Sequence, residues 1–178
     1  MPGYACSPRV GIERLENHMT RLEKHMTIKA HRFPVSVHWQ EGHLTRTSAP
    51  DKPDLAIATP PEFKGGIAGV WSPEDLLVAS TAACYAVTLV AVAERWNLTL
   101  HGLEVEGTGH VERRDDGRFG FVAIDLRATV DVDSNQVDAA EKAAAKAERL
   151  CLISLALDTP VHVDAKVRSA TDRQEAVA

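Results

Sequence analysis

The chain has 178 residues, 44% apolar and 25% charged, which is the length of one ordinary domain and the balance of a soluble globular protein rather than a disordered one. Lysine and arginine number 20 against 25 acidic residues, and the formal charge of −5 argues against a surface that reads phosphate backbones, so no nucleic-acid partner is expected. Three cysteines cannot all pair within one chain, which excludes a dense disulfide framework; free thiols and the lack of a basic-then-apolar leader point to a cytoplasmic protein.

The predicted elements begin with a repeat. Residues 14–20 (RLENHMT) are followed at once by residues 21–27 (RLEKHMT), and Ile12, Leu15, Met19, Leu22 and Met26 form a helical apolar seam. Two heptads are too short for an independent coiled coil, so this N-terminal extension, residues 1–27, must dock on something, unless Met26 is the natural start. His18 and His25 flank the seam as solvated side chains, with a metal site as the rarer alternative.

From Ile28 to Trp39 the pattern turns to β, and Pro34 to Trp39 alternates apolar with polar. Glu41-Gly42 reads as a turn, Leu44 to Ser48 as a return strand, and Leu55 to Ala58 as a short strand among Pro50, Pro53, Pro60 and Pro61. Ser72 and Pro73 then open a long helix, with Glu74 and Asp75 at its positive end. Its 18 uncharged residues, Leu76 to Ala93, reach the lower length limit for crossing a bilayer. Ser80, Thr81, Cys84, Tyr85 and Thr88 interrupt the run and no basic flank orients it, so a fully buried central helix, without a membrane, is expected.

Two strands follow, Leu100 to Arg113 and Phe119 to Val132, joined at Asp116-Gly117. Ser134 is expected to cap a second helix to Leu150, Cys151 to Leu157 adds a further helical turn, and Val161 to Val167 is the last strand. Residues 28–168 thus form an α+β domain, and residues 169–178 a frayed tail.

Three features carry candidate chemistry. Cys84 lies near the middle of the long helix, where a thiol either fills space or reacts. Cys151 sits at a helix-to-helix junction after Arg149, where a dipole and a cation would lower a thiol pKa, while Cys6 has no such setting. Asp131, Asp133 and Asp138 look like helix-start acids rather than a calcium loop. Trp39, Trp71 and Trp96 read as core or interface anchors, with Trp71 also placed to wall a pocket.

The stretch Thr59 to Gly66 (TPPEFKGG) runs into Trp71 to Leu77 (WSPEDLL), and Ala82-Ala83-Cys84 follows on the same helix. The PE-x-LL helix start, the cysteine ten residues after its Glu, and a second cysteine late in the chain resemble the OsmC/Ohr family of osmotically induced and organic hydroperoxide resistance proteins. The order of elements agrees over roughly residues 28 to 168. The resemblance implies antiparallel sheets with long buried central helices in an intertwined homodimer. It also implies a two-cysteine peroxidase acting on organic hydroperoxides or hydrogen peroxide, with no bound cofactor and an external dithiol as reductant. Cys84 would attack, Cys151 would resolve, and Glu74 with an Arg of the N-terminal β region would orient thiolate and peroxide. Arg46 is the candidate for that Arg, with His43 or Arg32 as alternatives.

Physical chemistry adds two expectations. Desolvation disfavours a thiolate deep in an Ala/Val/Leu helix, so a cation beside Cys84 is expected. Ten helical residues rise about 15 Å and turn about 80° off one face, so Glu74 and Cys84 cannot meet along one helix. Glu74 would then serve a second subunit's site or act through a bridging Arg. The competing reading is a non-catalytic protein that holds an apolar ligand in a cleft between subunits.

Overall fold

Strand-rich and helix-rich stretches alternate along this chain, and each strand block pairs only with itself. The computed structural model describes residues 30–169, so the heptad repeat with its seam, His18, His25, Cys6 and the tail beyond Ser169 lie outside the described residues. The chain divides into residues 1–35 and 36–178, and every element below belongs to the second unit.

The first block is a three-stranded antiparallel sheet of β1 (Ser36–Glu41), β2 (Leu44–Ser48) and β3 (Leu55–Ala58), in that order. Among the described residues it begins at Ser36; Pro34, which has no N–H for a ladder, stands before it. Gly42, at φ +49°, makes the expected turn. Val37 pairs with Thr47 and Trp39 with Thr45 on one face, while His38 pairs with Arg46 on the other. Val37 and Trp39 stay 61% and 71% exposed, so the apolar face of this sheet finds no cover among the described residues.

A loop carries the chain from β3 to the long helix and ties the two blocks together. Ala58 N–H donates to the Trp71 carbonyl at 2.9 Å, Ile67 N–H donates to the Thr59 carbonyl at 3.0 Å, and Phe63 meets Phe119 edge to face at 5.6 Å.

The helix α1 (Pro73–Arg95) starts where the sequence predicts. Ser72 Oγ accepts from Asp75 N–H at 3.0 Å and Asp75 returns a carboxylate to Ser72 N–H at 2.9 Å, a reciprocal cap with Pro73 at the first turn. Asn97, at φ +54°, ends it in the left-handed region. The expectation of full burial is corrected. Thr81, Tyr85, Leu89, Val92 and Ala93 face the core, but only 28% of the apolar window is buried and Val87 is 65% exposed. Ala83, Val87, Val90 and Ala91 make a second apolar stripe on the outer side, at spacings of three and four. By length and composition α1 could cross a membrane, yet it packs on strand and helix of its own domain.

The second block is β4 (Leu100–Arg113), β5 (Phe119–Val132), α2 (Val137–Leu150), α3 (Leu152–Leu155) and β6 (Val161–Ser169). β4 and β5 form an antiparallel hairpin closed by Gly117 at φ +81°, as Asp116-Gly117 predicts. β6 joins β5 in parallel, which makes this sheet mixed rather than purely antiparallel, and it runs on to Ser169, past the expected domain end. A short 3₁₀ turn, Ser134–Gln136, precedes α2, so Ser134 does not cap the helix.

The core lies between this sheet and the two long helices. Ile124, Leu126, Ala128, Val130 and Val132 project from one face of β5 at a period of two, and Ala140, Ala143, Ala144 and Ala147 make a small-residue stripe on α2. Tyr85 and Leu89 of α1 fill the space between them, with Cys151 at one end. Gly107 and Gly109 on β4 let α1 approach closely: a Cβ there would stand 2.8 and 2.7 Å from the Val78 methyls.

Candidate active site

The two cysteines of the described domain, 67 positions apart in sequence, meet where α2 turns into α3 against the middle of α1. Cys151 closes α2 and opens α3, the helix-to-helix junction expected from sequence. Because the chain reverses there, the N–H groups at the start of α3 face back towards α1. Ile153 N–H donates to Cys84 Sγ at 3.5 Å, and Cys151 Sγ lies 4.0 Å from the Thr81 carbonyl, one turn before Cys84. Both thiols are free, Cys84 half-buried and Cys151 1% exposed.

Burial opposes ionisation of Cys84, but four donors outweigh it. The Ile153 N–H, the Cys151 thiol, the Leu152 N–H and the Thr88 hydroxyl together hold the Cys84 thiol below its ordinary value. Cys84 is thus half-buried rather than deeply buried as the sequence suggests. Within the single chain the lowering comes from hydrogen bonds to the sulfur, and among the described residues no Lys or Arg hydrogen-bonds with Cys84. Next to Cys84, the Tyr85 hydroxyl is buried with no hydrogen-bond partner, and burial, helped by Glu148 and Cys151, pushes it up to about 12 and keeps it neutral.

The other expected site residues lie elsewhere. Arg46 pairs with Asp54 at 3.6 Å on the exposed N-terminal sheet; His43 Nδ1 is 3.1 Å from the Thr59 hydroxyl; Arg32 is exposed. None of the three is among the groups acting on Cys84 in the same chain. Glu74 opens α1 beside a cavity of about 490 Å³ walled by Trp71, Val78, Ala82, Val105 and Phe121, which places Trp71 at a pocket as expected. Cys84 does not line that cavity, in keeping with the helical offset of the two residues. One Glu74 carboxylate oxygen is buried without a hydrogen-bond partner.

Among the remaining candidates, Trp39 and Trp96 are exposed. Asp131 is ion-paired with Arg168 at 2.9 Å and Asp133 is hydrogen-bonded to His101 at 2.7 Å, so two of these three acids tie strands together. The sequence reading missed Thr88, Leu152, Ile153 and Ser154. Thr88 had a signal, since four residues is one helical turn from Cys84. The other three act through a chain reversal whose position against α1 no local pattern encodes.

Comparison with known proteins agrees with this architecture. The family described as OsmC-like protein matches residues 66–166. A Bacillus subtilis (strain 168) protein, YmaD, which is uncharacterized, is 30% identical over 139 residues, covering 75% of this chain and 91% of its own. An OsmC-like protein of unknown function from Vibrio cholerae superposes with a TM-score of 0.70 at 14% identity, over 77% of this chain and 100% of the other. An organic hydroperoxide resistance protein, OsmC, from Legionella pneumophila superposes with a TM-score of 0.63 at 26% identity, over 78% and 98%. The chain carries the fold of these proteins and belongs to the OsmC-like family, which includes organic hydroperoxide resistance proteins.

Proposed function

We propose that this protein is a thiol-dependent peroxidase that reduces organic hydroperoxides, or hydrogen peroxide, through Cys84 and Cys151. The observation that carries the reading is the set of donors converging on the Cys84 sulfur, one of them the second free thiol itself. Such an arrangement favours thiolate on Cys84 and keeps a resolving thiol within reach.

In this scheme the Cys84 thiolate attacks the terminal peroxide oxygen, the O–O bond breaks, and the alcohol leaves after taking up a proton. Cys84 becomes a sulfenic acid. Cys151 then displaces hydroxide from that sulfur to close a disulfide, and an external dithiol returns both residues to thiols, which suits a reducing, cytoplasmic setting.

The reading extends to a homodimer. Two apolar surfaces lack cover among the described residues: the Ala83, Val87, Val90 and Ala91 stripe of α1, and the Val37 and Trp39 face of the N-terminal sheet. A second copy laid against them would bury both. The buried, unpartnered oxygen of Glu74 calls for a donor, and Arg46 of the second copy has the charge and reach to supply one once it leaves Asp54. In this arrangement Glu74 and Arg46 orient the peroxide rather than activate the thiol.

The test is one equivalent of an organic hydroperoxide added to the reduced protein. Mass spectrometry should find a Cys84–Cys151 disulfide and loss of one peroxide per chain. The cavity beside Trp71 and Glu74, which Cys84 does not line, favours a second reading: an apolar ligand held there with the thiols as bystanders. Both thiols remaining free, with peroxide unconsumed, would decide for that reading.

A further inference from the structure

The turn from α2 into α3 serves both sulfurs, and the scheme above uses only half of it. Ile153 N–H faces Cys84, while the Ser154 hydroxyl donates to Cys151 Sγ at 3.1 Å. Ser154 follows Cys151 by three residues, so a single helical turn sets its hydroxyl over the sulfur.

Cys151 needs such a partner more than Cys84 does. It is 1% exposed, among Tyr85 and the alanines of α2, so its sulfur must find its polar partners within the fold. The Thr81 carbonyl, 4.0 Å away, can only accept, and the Cys84 sulfur accepts from the Cys151 thiol, so the Ser154 hydroxyl is the neighbour that donates to this sulfur. A two-thiol cycle nevertheless places charge on Cys151 twice: when it attacks the sulfenic sulfur, and when the external dithiol expels it from the disulfide.

We propose that Ser154 is a positioning residue that holds the Cys151 sulfur towards Cys84 and stabilises its thiolate in both steps. The catalytic meaning of this assignment rests on the peroxidase reading; its effect on Cys151 does not. In the resolving step the Cys151 thiol loses its proton, its electron pair forms the S–S bond, and the S–O bond of Cys84 breaks. The departing hydroxide takes up a proton to give water. The Cys84 sulfur is reduced from the sulfenic level, the Cys151 sulfur is oxidised, and Ser154 keeps its own proton throughout.

The test begins without peroxide. In full-length protein carrying Cys6→Ser and Cys84→Ser, Cys151 is the one remaining thiol, and its thiolate absorbance is titrated with Ser154, Ala, Val or Thr at position 154. Ser154→Ala and Ser154→Val should raise the midpoint by about one pH unit, while Ser154→Thr, the same shape as Val but with a hydroxyl, should restore it. In protein that retains Cys84, Ser154→Val should slow disulfide closure about tenfold more than it slows the peroxide step, and Ser154→Thr should recover closure. Equal midpoints for Val, Thr and Ser would overturn the proposal, even if the parent protein cycles with peroxide. A parent that ignores peroxide while the midpoints still separate would instead remove the peroxidase reading and leave Ser154 as the residue that sets the Cys151 charge.

Discussion

The two sheets of this molecule are built from similar strand material and meet different fates. β5 carries five alternating apolar residues, and every one is buried beneath α1 and α2. β1 carries Val37 and Trp39 in the same alternation, and both face solvent in the single chain. Alternation specifies which residues share a face, not what lies on that face. The β4–β6 sheet receives its cover from a helix that runs straight into β4 and another that links β5 to β6, whereas the N-terminal sheet is joined to these elements through a proline- and glycine-rich loop. One sheet has its apolar face covered by its own helices; the other presents a surface that, on the dimer reading, a second copy completes.

The comparison can be broken at its strongest point first. If the chemistry resides wholly in the self-contained region, Cys84→Ser should lower peroxide consumption by at least about a thousandfold, because a serine hydroxyl is scarcely ionised at neutral pH. Stopped-flow peroxide loss at the parent rate would remove Cys84 from the attacking role. The next effect is on stability. Leu89 is fully buried between β5 and α2, so Leu89→Ala should cost about 2–5 kcal/mol in denaturant unfolding.

On the open sheet, Trp39→Ala should leave far-ultraviolet circular dichroism intact but weaken self-association by about 2 kcal/mol, read by sedimentation across a concentration series. A parent that stays monomeric at micromolar concentration would end the dimer reading and leave the exposed face without an occupant. Ser72→Ala removes half of the reciprocal cap at the start of α1 and should cost about 1 kcal/mol.

The smallest expected effect concerns pH. Hydrogen bonds hold the Cys84 thiol below its ordinary value, so its thiolate persists to lower pH than that of an unperturbed cysteine. Alkylation of Cys84 by iodoacetamide should therefore reach half its maximum rate at a lower pH than alkylation of the denatured protein. Arg46→Ala should shift that midpoint upward by less than about half a pH unit, because Arg46 is expected to orient peroxide rather than activate sulfur. A large upward shift would return the activating role to the cation.

What the sequence determined by itself was everything that depends on neighbours along the chain. The capped start of α1 at Ser72 and Pro73, the turns at Gly42 and Gly117, the alternation of β5 and the alanine stripe of α2 each follow from local residue types and spacings of two, three or four. The pairing of Cys84 with Cys151 was legible only through resemblance to a known family. Tertiary structure alone decided the rest. Whether α1 is buried all round depends on what packs against its outer stripe, and the parallel entry of β6 depends on where α3 returns the chain. The activation of Cys84 depends on two N–H groups from a turn nearly seventy residues away. Burial, strand direction and the field at a sulfur are properties of groups that meet in space, and no local periodicity records that meeting.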